Sequence, residues 1–294
     1  MSSSTLNRRI AELALFFIAV IWGAAFVAQR TAMQHLGPFA FNGIRFLLGA
    51  AVIWTLIASK AERTRITRTD IYLGAALGII LFTGASLQQV GVVTTSAGKA
   101  GFITGLYVVL IPFFLWLVWR QLTSTRVWCG ITAAIVGLFM LSVGEDFSLQ
   151  LGDVWVTLCA AAFAWHVILT GRWVQGRDPW NLAAIQFSIV ALLSLLVAAL
   201  REPFSVSDVT SVWIEILYAG ILSVGVGYTG QIVAQKYTSS VVAGIILSLE
   251  SVFAALAGWI MLAEVFSATQ KAGCLLMLLG TIVAQVFEQK PQAD

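Results

Sequence analysis

The sequence predicts an all-α integral membrane protein of ten transmembrane helices, built as two inverted five-helix repeats. Three observations carry this expectation. First, 59% of the 294 residues are hydrophobic and only 11% are charged, whereas soluble domains carry about 25% charged residues. Second, the apolar residues form long continuous runs. Lipid leaves backbone groups no water to bond, so such runs are satisfied as helices, and a β-barrel would show short alternating strands instead. Third, the stretch Thr95-Ser-Ala-Gly-Lys-Ala-Gly-Phe-Ile103 is nearly restated as Thr238-Ser-Ser-Val-Val-Ala-Gly-Ile-Ile246.

The repeat keeps one offset, 143 residues, on both sides of that stretch. Gly84 matches Gly227, Gln88 matches Gln231, Leu106 matches Leu249 and Trp116 matches Trp259. Ser124 matches Ser267, Gly130 matches Gly273 and Gly137 matches Gly280. Windows of roughly 20 apolar residues fall at about 13–34, 38–59, 70–93, 96–119 and 125–143, and again at about 153–174, 179–200, 210–236, 239–262 and 267–288. The units are therefore 1–143 and 144–294. Pro38 and Pro179 open the second and seventh spans, where a missing N–H costs nothing. Ile44-Arg45-Phe46 follows the first and Ile185-Gln186-Phe187 the second, after a two-residue slip in the loop.

Arg8 and Arg9 before an apolar run resemble the start of a signal peptide. The run from Leu13 to Met33 is long enough to span and has a counterpart later, so it is read as a retained first helix. With a cytoplasmic N-terminus, the inside collects Arg8, Arg9, Lys60, Arg63, Arg65, Arg68, Arg120, Arg126, Arg172, Arg177, Lys236 and Lys290. The outside holds Lys99, Arg201 and Lys271, with Glu145, Asp146 and Asp153 in a loop lacking basic residues. The positive-inside bias thus places both termini in the cytoplasm of an inner-membrane protein. It also accounts for the net charge of +3 without a nucleic-acid partner. An odd number of helices per unit starts the second copy on the opposite face, so the two copies are inverted, as in secondary transporters.

Several chemistries are excluded. No glycine-rich loop with Lys-Ser/Thr appears, which disfavours an ATP-driven pump. Two histidines cannot build a metal cluster, and Cys129, Cys159 and Cys274 lie inside apolar runs as small buried hydrophobes. All six aspartates lie at span ends or in loops, and no serine has an evident base beside it, so the chain is not read as an enzyme and no cofactor is expected.

The candidate substrate-binding residues are Gln88, Tyr107, Trp165, His166, Tyr228, Gln231 and Glu250. Glu250 is the single acid near the middle of a span; at that depth a lone carboxylate costs about 3 kcal/mol and must face the interior. It is read either as a coupling or amine-binding group or as a structural hydrogen-bond partner. Gln88 and Gln231 sit one helical turn after Gly84 and Gly227, and their amides offer donors and acceptors to a polar solute, to each other or to Glu250. Trp165, mid-span with a partner in Trp22, and His166 beside it are read as cavity wall or as core packing. Gly101 and Gly105, with Gly244 and Ser248, are read as a small-residue packing face. Arg30 can snorkel outward, and Arg45 is expected to pair or reach the outer interface, with anion binding as the other reading.

The phrases Trp22-Gly23, Ala100-Gly-Phe-Ile-Thr-Gly-Leu-Tyr-Val-Val-Leu-Ile-Pro112, Leu249-Glu250-Ser251-Val-Phe-Ala and Ala263-Glu264, with Gly273 and Gly280, resemble the EamA-type branch of the drug/metabolite transporter superfamily along the whole chain. Trp165 is similar to the tryptophan of YddG-type aromatic amino acid exporters. The resemblance implies a cavity between the helices and export of metabolites, an amino acid first, with a small molecule and the bilayer as partners. Two departures stand: Ser251 replaces a usual proline, predicting a weaker kink, and Arg120-Gln121 replaces Gly-Glu in the first repeat. The alternative is efflux of hydrophobic cations with Glu250 as counter-ion. A non-transporting scaffold, a channel or an intramembrane enzyme is more remote. Ten helices enclose a site without a partner, so a monomer suffices and the oligomeric state is open.

Overall fold

The computed structural model describes residues 3–60, 65–95, 97–142, 150–262 and 267–287. Arg63, Glu145, Asp146, Ala263, Glu264 and Lys290, used above, lie outside the described residues. Within them the chain is helical, without strands.

The helices are α1 (Ser3–Ala32), α2 (Pro38–Ser59), α3 (Arg68–Thr94), α4 (Ala97–Trp119), α5 (Thr125–Ser142), α6 (Leu151–Trp173), α7 (Pro179–Arg201), α8 (Trp213–Ala234), α9 (Ser240–Met261) and α10 (Ala268–Phe287). A short helix, Val206–Ser211, leads into α8. Eight are long and apolar enough to cross a membrane, and α5 and α10 carry shorter apolar stretches, Thr125–Met140 and Ala268–Ala284. Large apolar side chains such as Leu47, Ile79, Leu196, Ile260 and Ile282 are exposed on the outside, where lipid would cover them. The protein is a multi-pass helical membrane protein.

Each helix start has a local cause. Pro38 and Pro179 occupy first-turn positions of α2 and α7. The orphan amides of α2 are met from far along the chain: Phe39 and Ala40 donate to the Glu202 carboxylate at 3.1 and 2.8 Å. Thr67 with Asp70 and Gln150 with Asp153 form reciprocal caps at the starts of α3 and α6.

Those two capping acids also join α3 to α6, which run antiparallel. At one end Asp70 pairs with Arg177 at 2.8 Å. At the other, Asp153 pairs with Lys99 at 2.6 Å and accepts from Thr95 Oγ1 at 2.6 Å. Arg30 does not simply snorkel: its guanidinium donates to the last carbonyls of α3, Val92, Val93 and Thr95, where a helix carries negative dipole charge.

Small residues set the closest approaches. A Cβ on Gly130 would meet the Gly280 carbonyl at 2.6 Å, and one on Gly280 would meet that of Gly130 at 2.6 Å. Gly137 is similarly closed by Gly273. α5 and α10 therefore run antiparallel with backbones touching. Gly101 and Gly105 likewise pack on Ala254 and Ser251, and Ser251 Oγ donates to the Gly101 carbonyl at 2.7 Å, joining α4 to α9. The remaining long contacts are α3 with α6 and α7, α2 with α7 and α8, α1 with α8 and α9, and α4 with α6.

At Ser251, where a weaker kink is expected for want of proline, the helix is regular, and an interruption lies just before it. α9 is interrupted at Ser248–Leu249, and α4 is interrupted at Leu106. Both turns tighten to i→i+3 bonds at matching positions: Leu106 N to Ile103 O, 3.2 Å, and Leu249 N to Ile246 O, 3.1 Å. At the α9 turn Ser248 Oγ also bonds its own helix at Ile245 O, 2.8 Å.

Two stability outcomes follow. Gly130→Leu forces side-chain volume onto a carbonyl and is expected to cost about 1–3 kcal/mol, whereas Gly225→Ala, whose Cβ finds its nearest neighbour at 3.4 Å, is neutral or stabilising. Thermal unfolding of the two variants in detergent checks the contrast. Asp70→Ala removes a cap and an ion pair together and is expected to lower stability by about 1–2 kcal/mol, more than Asp208→Ala at the exposed short helix.

Candidate functional site

The interruptions at Leu106 and Leu249 place the next residue of each helix, Tyr107 and Glu250, at the same cavity. It is narrow, with a volume of about 40 Å³. Glu250 is 4% exposed and Tyr107 3%. The Tyr107 hydroxyl lies beside the carboxylate, yet neither Tyr107 Oη nor Glu250 Oε1 is in hydrogen-bonding geometry with a protein partner.

Gln88, His166, Tyr228 and Gln231 border the same space, so six of the seven side chains singled out from sequence come together. Gln88 Nε2 donates to Thr104 Oγ1 at 3.2 Å, and Gln231 Nε2 to Gln235 Oε1 at 3.0 Å, which itself is held by Val167 O. Each amide is thus oriented by a neighbour in its own half of the chain. The Gln231 carbonyl oxygen is left buried and unpartnered, a cost unless a solute or water meets it. His166 Nε2 lies 2.9 Å from Gln186 Oε1, and its ring is edge-on to Tyr228 at 6.0 Å.

Trp165 is the exception. It is stacked on Phe114 at 5.0 Å and meets Trp119 at 5.9 Å, away from the cavity. Phe163 takes the inner position instead, against Gly84, where an added Cβ would fall 2.9 Å from its ring. Two residues along a helix turn a side chain by about 200°, so Phe163 facing in sends Trp165 out. In the other half Trp22 itself lines the cavity, over Gly227, tilted against Tyr228 at 4.7 Å and donating to Ser223 O at 3.0 Å. The glycine matches, Gly84 and Gly227, were the better guide to which ring faces inward.

Of the two readings of Arg45 from sequence, pairing or the outer interface is not met, and anion binding stays open. Arg45 is 2% exposed and borders the cavity. Its guanidinium lies 5.3 Å from the Phe41 ring centre and 5.2 Å from that of Phe46. Neither the outer interface nor a carboxylate receives it: among the described residues the ion pairs are Arg8–Glu12, Lys99–Asp153 and Arg177–Asp70. Gln29, with a buried unpartnered oxygen, was missed. The signal for Arg45 was its place in the phrase shared with Ile185-Gln186-Phe187, whose glutamine bonds His166.

A larger groove of about 400 Å³ lies between α1, α2 and α8, against Ile53, Trp180 and Val233. It holds no charged side chain and lies on the lipid side, so it does not compete as the site. α8 is π-helical over Tyr218–Tyr228 beside both spaces; such wide turns are frequent at functional sites. No cluster of three metal-ligating side chains occurs among the described residues.

Comparison with known proteins fits this geometry. The model of the EamA-like transporter family matches twice, over residues 9–143 and 150–285. An uncharacterized transporter of Archaeoglobus fulgidus is 33% identical over 95% of this chain and 87% of its own. An S-adenosylmethionine/S-adenosylhomocysteine transporter of Chlamydia trachomatis serovar L2 is 25% identical over 65% of this chain and 63% of its own. A crystal structure superposes with a TM-score of 0.79 over 97% of this chain and 99% of the other at 19% identity, a likeness of fold alone. Matched by that model along both stretches, this membrane protein is a transporter rather than an enzyme, and it belongs to the EamA-like transporter family.

Proposed function

We propose that this chain is a secondary transporter that exports a small organic metabolite, an amino acid in the first instance, by alternating access between two inverted five-helix repeats, 1–143 and 144–294. The observation that carries the reading is the convergence of polar side chains from both stretches on one buried space, several with atoms no protein group among the described residues satisfies. A site largely formed, mostly apolar and fitted with a few directed polar groups is what a small solute needs.

The helix contacts support the inversion. Exchanging each helix with the one five places later returns the same contact list: α3 with α6 becomes α8 with α1, and α2 with α8 becomes α7 with α3. α5 and α10 exchange with each other, and so do their touching glycines, Gly130 with Gly273 and Gly137 with Gly280. A two-fold axis that swaps two antiparallel helices runs perpendicular to them, hence in the membrane plane, as in inverted-repeat transporters. All ten helices then cross the inner membrane, and the basic loop residues put both termini in the cytoplasm. α3 and α6, tied at both ends, suit a rigid frame. The turns at Leu106 and Leu249 and the π-helical part of α8 suit the places that bend.

The test is uptake by the full chain in proteoliposomes, with amino acids, amines, S-adenosylmethionine and S-adenosylhomocysteine as solutes, with and without a pH gradient. Flux is expected to saturate for at least one amino-acid-bearing solute; flux linear in concentration would indicate a channel. Gln88→Ala with Gln231→Ala is expected to lower that flux on the order of tenfold, and unchanged flux in the double variant would remove the glutamines from the site.

A further inference from the structure

Resting on the transporter reading, the inference here concerns how the solute is held. The two halves of the cavity differ in charge at two places, one of each sign. In the first half the phrase after Pro38 supplies Arg45, where the phrase after Pro179 supplies Gln186. In the second half the residue after the α9 interruption is Glu250, where the first half has Tyr107. Both charged side chains are buried and border the same space, yet they form no ion pair with each other.

Each charged side chain keeps a buried atom that no protein group among the described residues meets. The Arg45 Nε is buried without a partner, and the rings of Phe41 and Phe46 lie 5.3 and 5.2 Å from the guanidinium carbon without offering it an acceptor. Glu250 Oε1 is likewise unpartnered. A buried ion left without a counter-charge is costly, and more so at membrane depth. Two such ions of opposite sign across one cavity are both relieved by a single solute that carries both charges.

We propose that Arg45 and Glu250 are the two poles of a zwitterion site: a free carboxylate binds at Arg45, the α-ammonium at Glu250, and the rest of the solute lies against Trp22, Phe26 and Phe163. The guanidinium fork matches a carboxylate with two parallel N–H donors. The carboxylate at the other pole accepts from an ammonium. The site then asks for an intact amino-acid head and accepts varied side chains, and it rejects simple amines and simple acids, each of which leaves one pole bare.

The experiment measures binding to the purified full-length protein of three matched sets: phenylalanine, leucine and methionine, each with its decarboxylated amine and its deaminated acid. Wild type is expected to bind at least one amino acid about tenfold or more tighter than either single-charge analogue. Arg45→Gln is expected to weaken the amino acid about 10- to 100-fold, the loss of one charged hydrogen-bonded contact, while leaving the amine unchanged. Glu250→Gln mirrors this and spares the acid. Equal weakening of amino acid and amine by Arg45→Gln would make Arg45 a packing residue and overturn the proposal. Should that variant fail to fold, the three wild-type affinities decide, since an amine bound as tightly as its amino acid overturns it equally. A wild type that carries the amine or the acid in vesicles but not the amino acid leaves the transporter reading standing and this one overturned; one that carries no solute of any set overturns both.

Discussion

Glu250 begins the second part of α9 with the Tyr107 hydroxyl beside it and no cation within ion-pair distance among the described residues. Holding a carboxylate there requires walls that keep lipid away on every side, and the fold can be understood as those walls. α1 closes one side through Trp22 and Phe26, α2 another through Arg45, and α3, α6 and α8 supply Gln88, His166 and Gln231. Because lipid offers no hydrophobic force between helices, the walls hold through close packing and interhelical hydrogen bonds. This is why glycine marks the tightest crossings, at Gly130 with Gly280 and Gly137 with Gly273. It is also why Ser251 reaches across to the Gly101 carbonyl directly beside the acid.

The two long helices that reach the acid are also the two that break. A continuous α-helix satisfies its own carbonyls and gives no freedom to re-aim a side chain. The tightened turns at Leu106 and Leu249 interrupt that ladder at matching places, so Tyr107 and Glu250 enter the cavity as a facing pair. α3 and α6 behave oppositely, with capping acids that double as ion-pair partners at both ends. A transporter in which one helix pair is stapled and others are interrupted has its stiff and yielding parts assigned in the sequence itself.

Much of this was legible beforehand, for physical reasons. Composition and continuous apolar runs predicted helices in a membrane, and the fixed offset between Gly84 and Gly227 and between Gln88 and Gln231 predicted which faces meet. What escaped was orientation around a single helix. Trp165 and Phe163 are both large and apolar, and only the glycine opposite decides which turns inward. Arg45 was read first as pairing or reaching water, and its burial near the Phe41 and Phe46 rings depends on contacts no spacing encodes. The turns at Leu106 and Leu249 were not read from the sequence, which pointed only to a weaker kink at Ser251.

The account stands on two copies placed upside down about one cavity, and membrane sidedness tests that most directly. His35, between α1 and α2, and Gln175, between α6 and α7, occupy equivalent loops of the two copies and are both exposed. Single cysteines at these positions, in a chain with Cys129, Cys159 and Cys274 replaced, can be labelled in intact cells with a membrane-impermeant thiol reagent. The expected result is labelling at 35 from outside and at 175 only after permeabilisation; labelling of both from the same face would contradict the account.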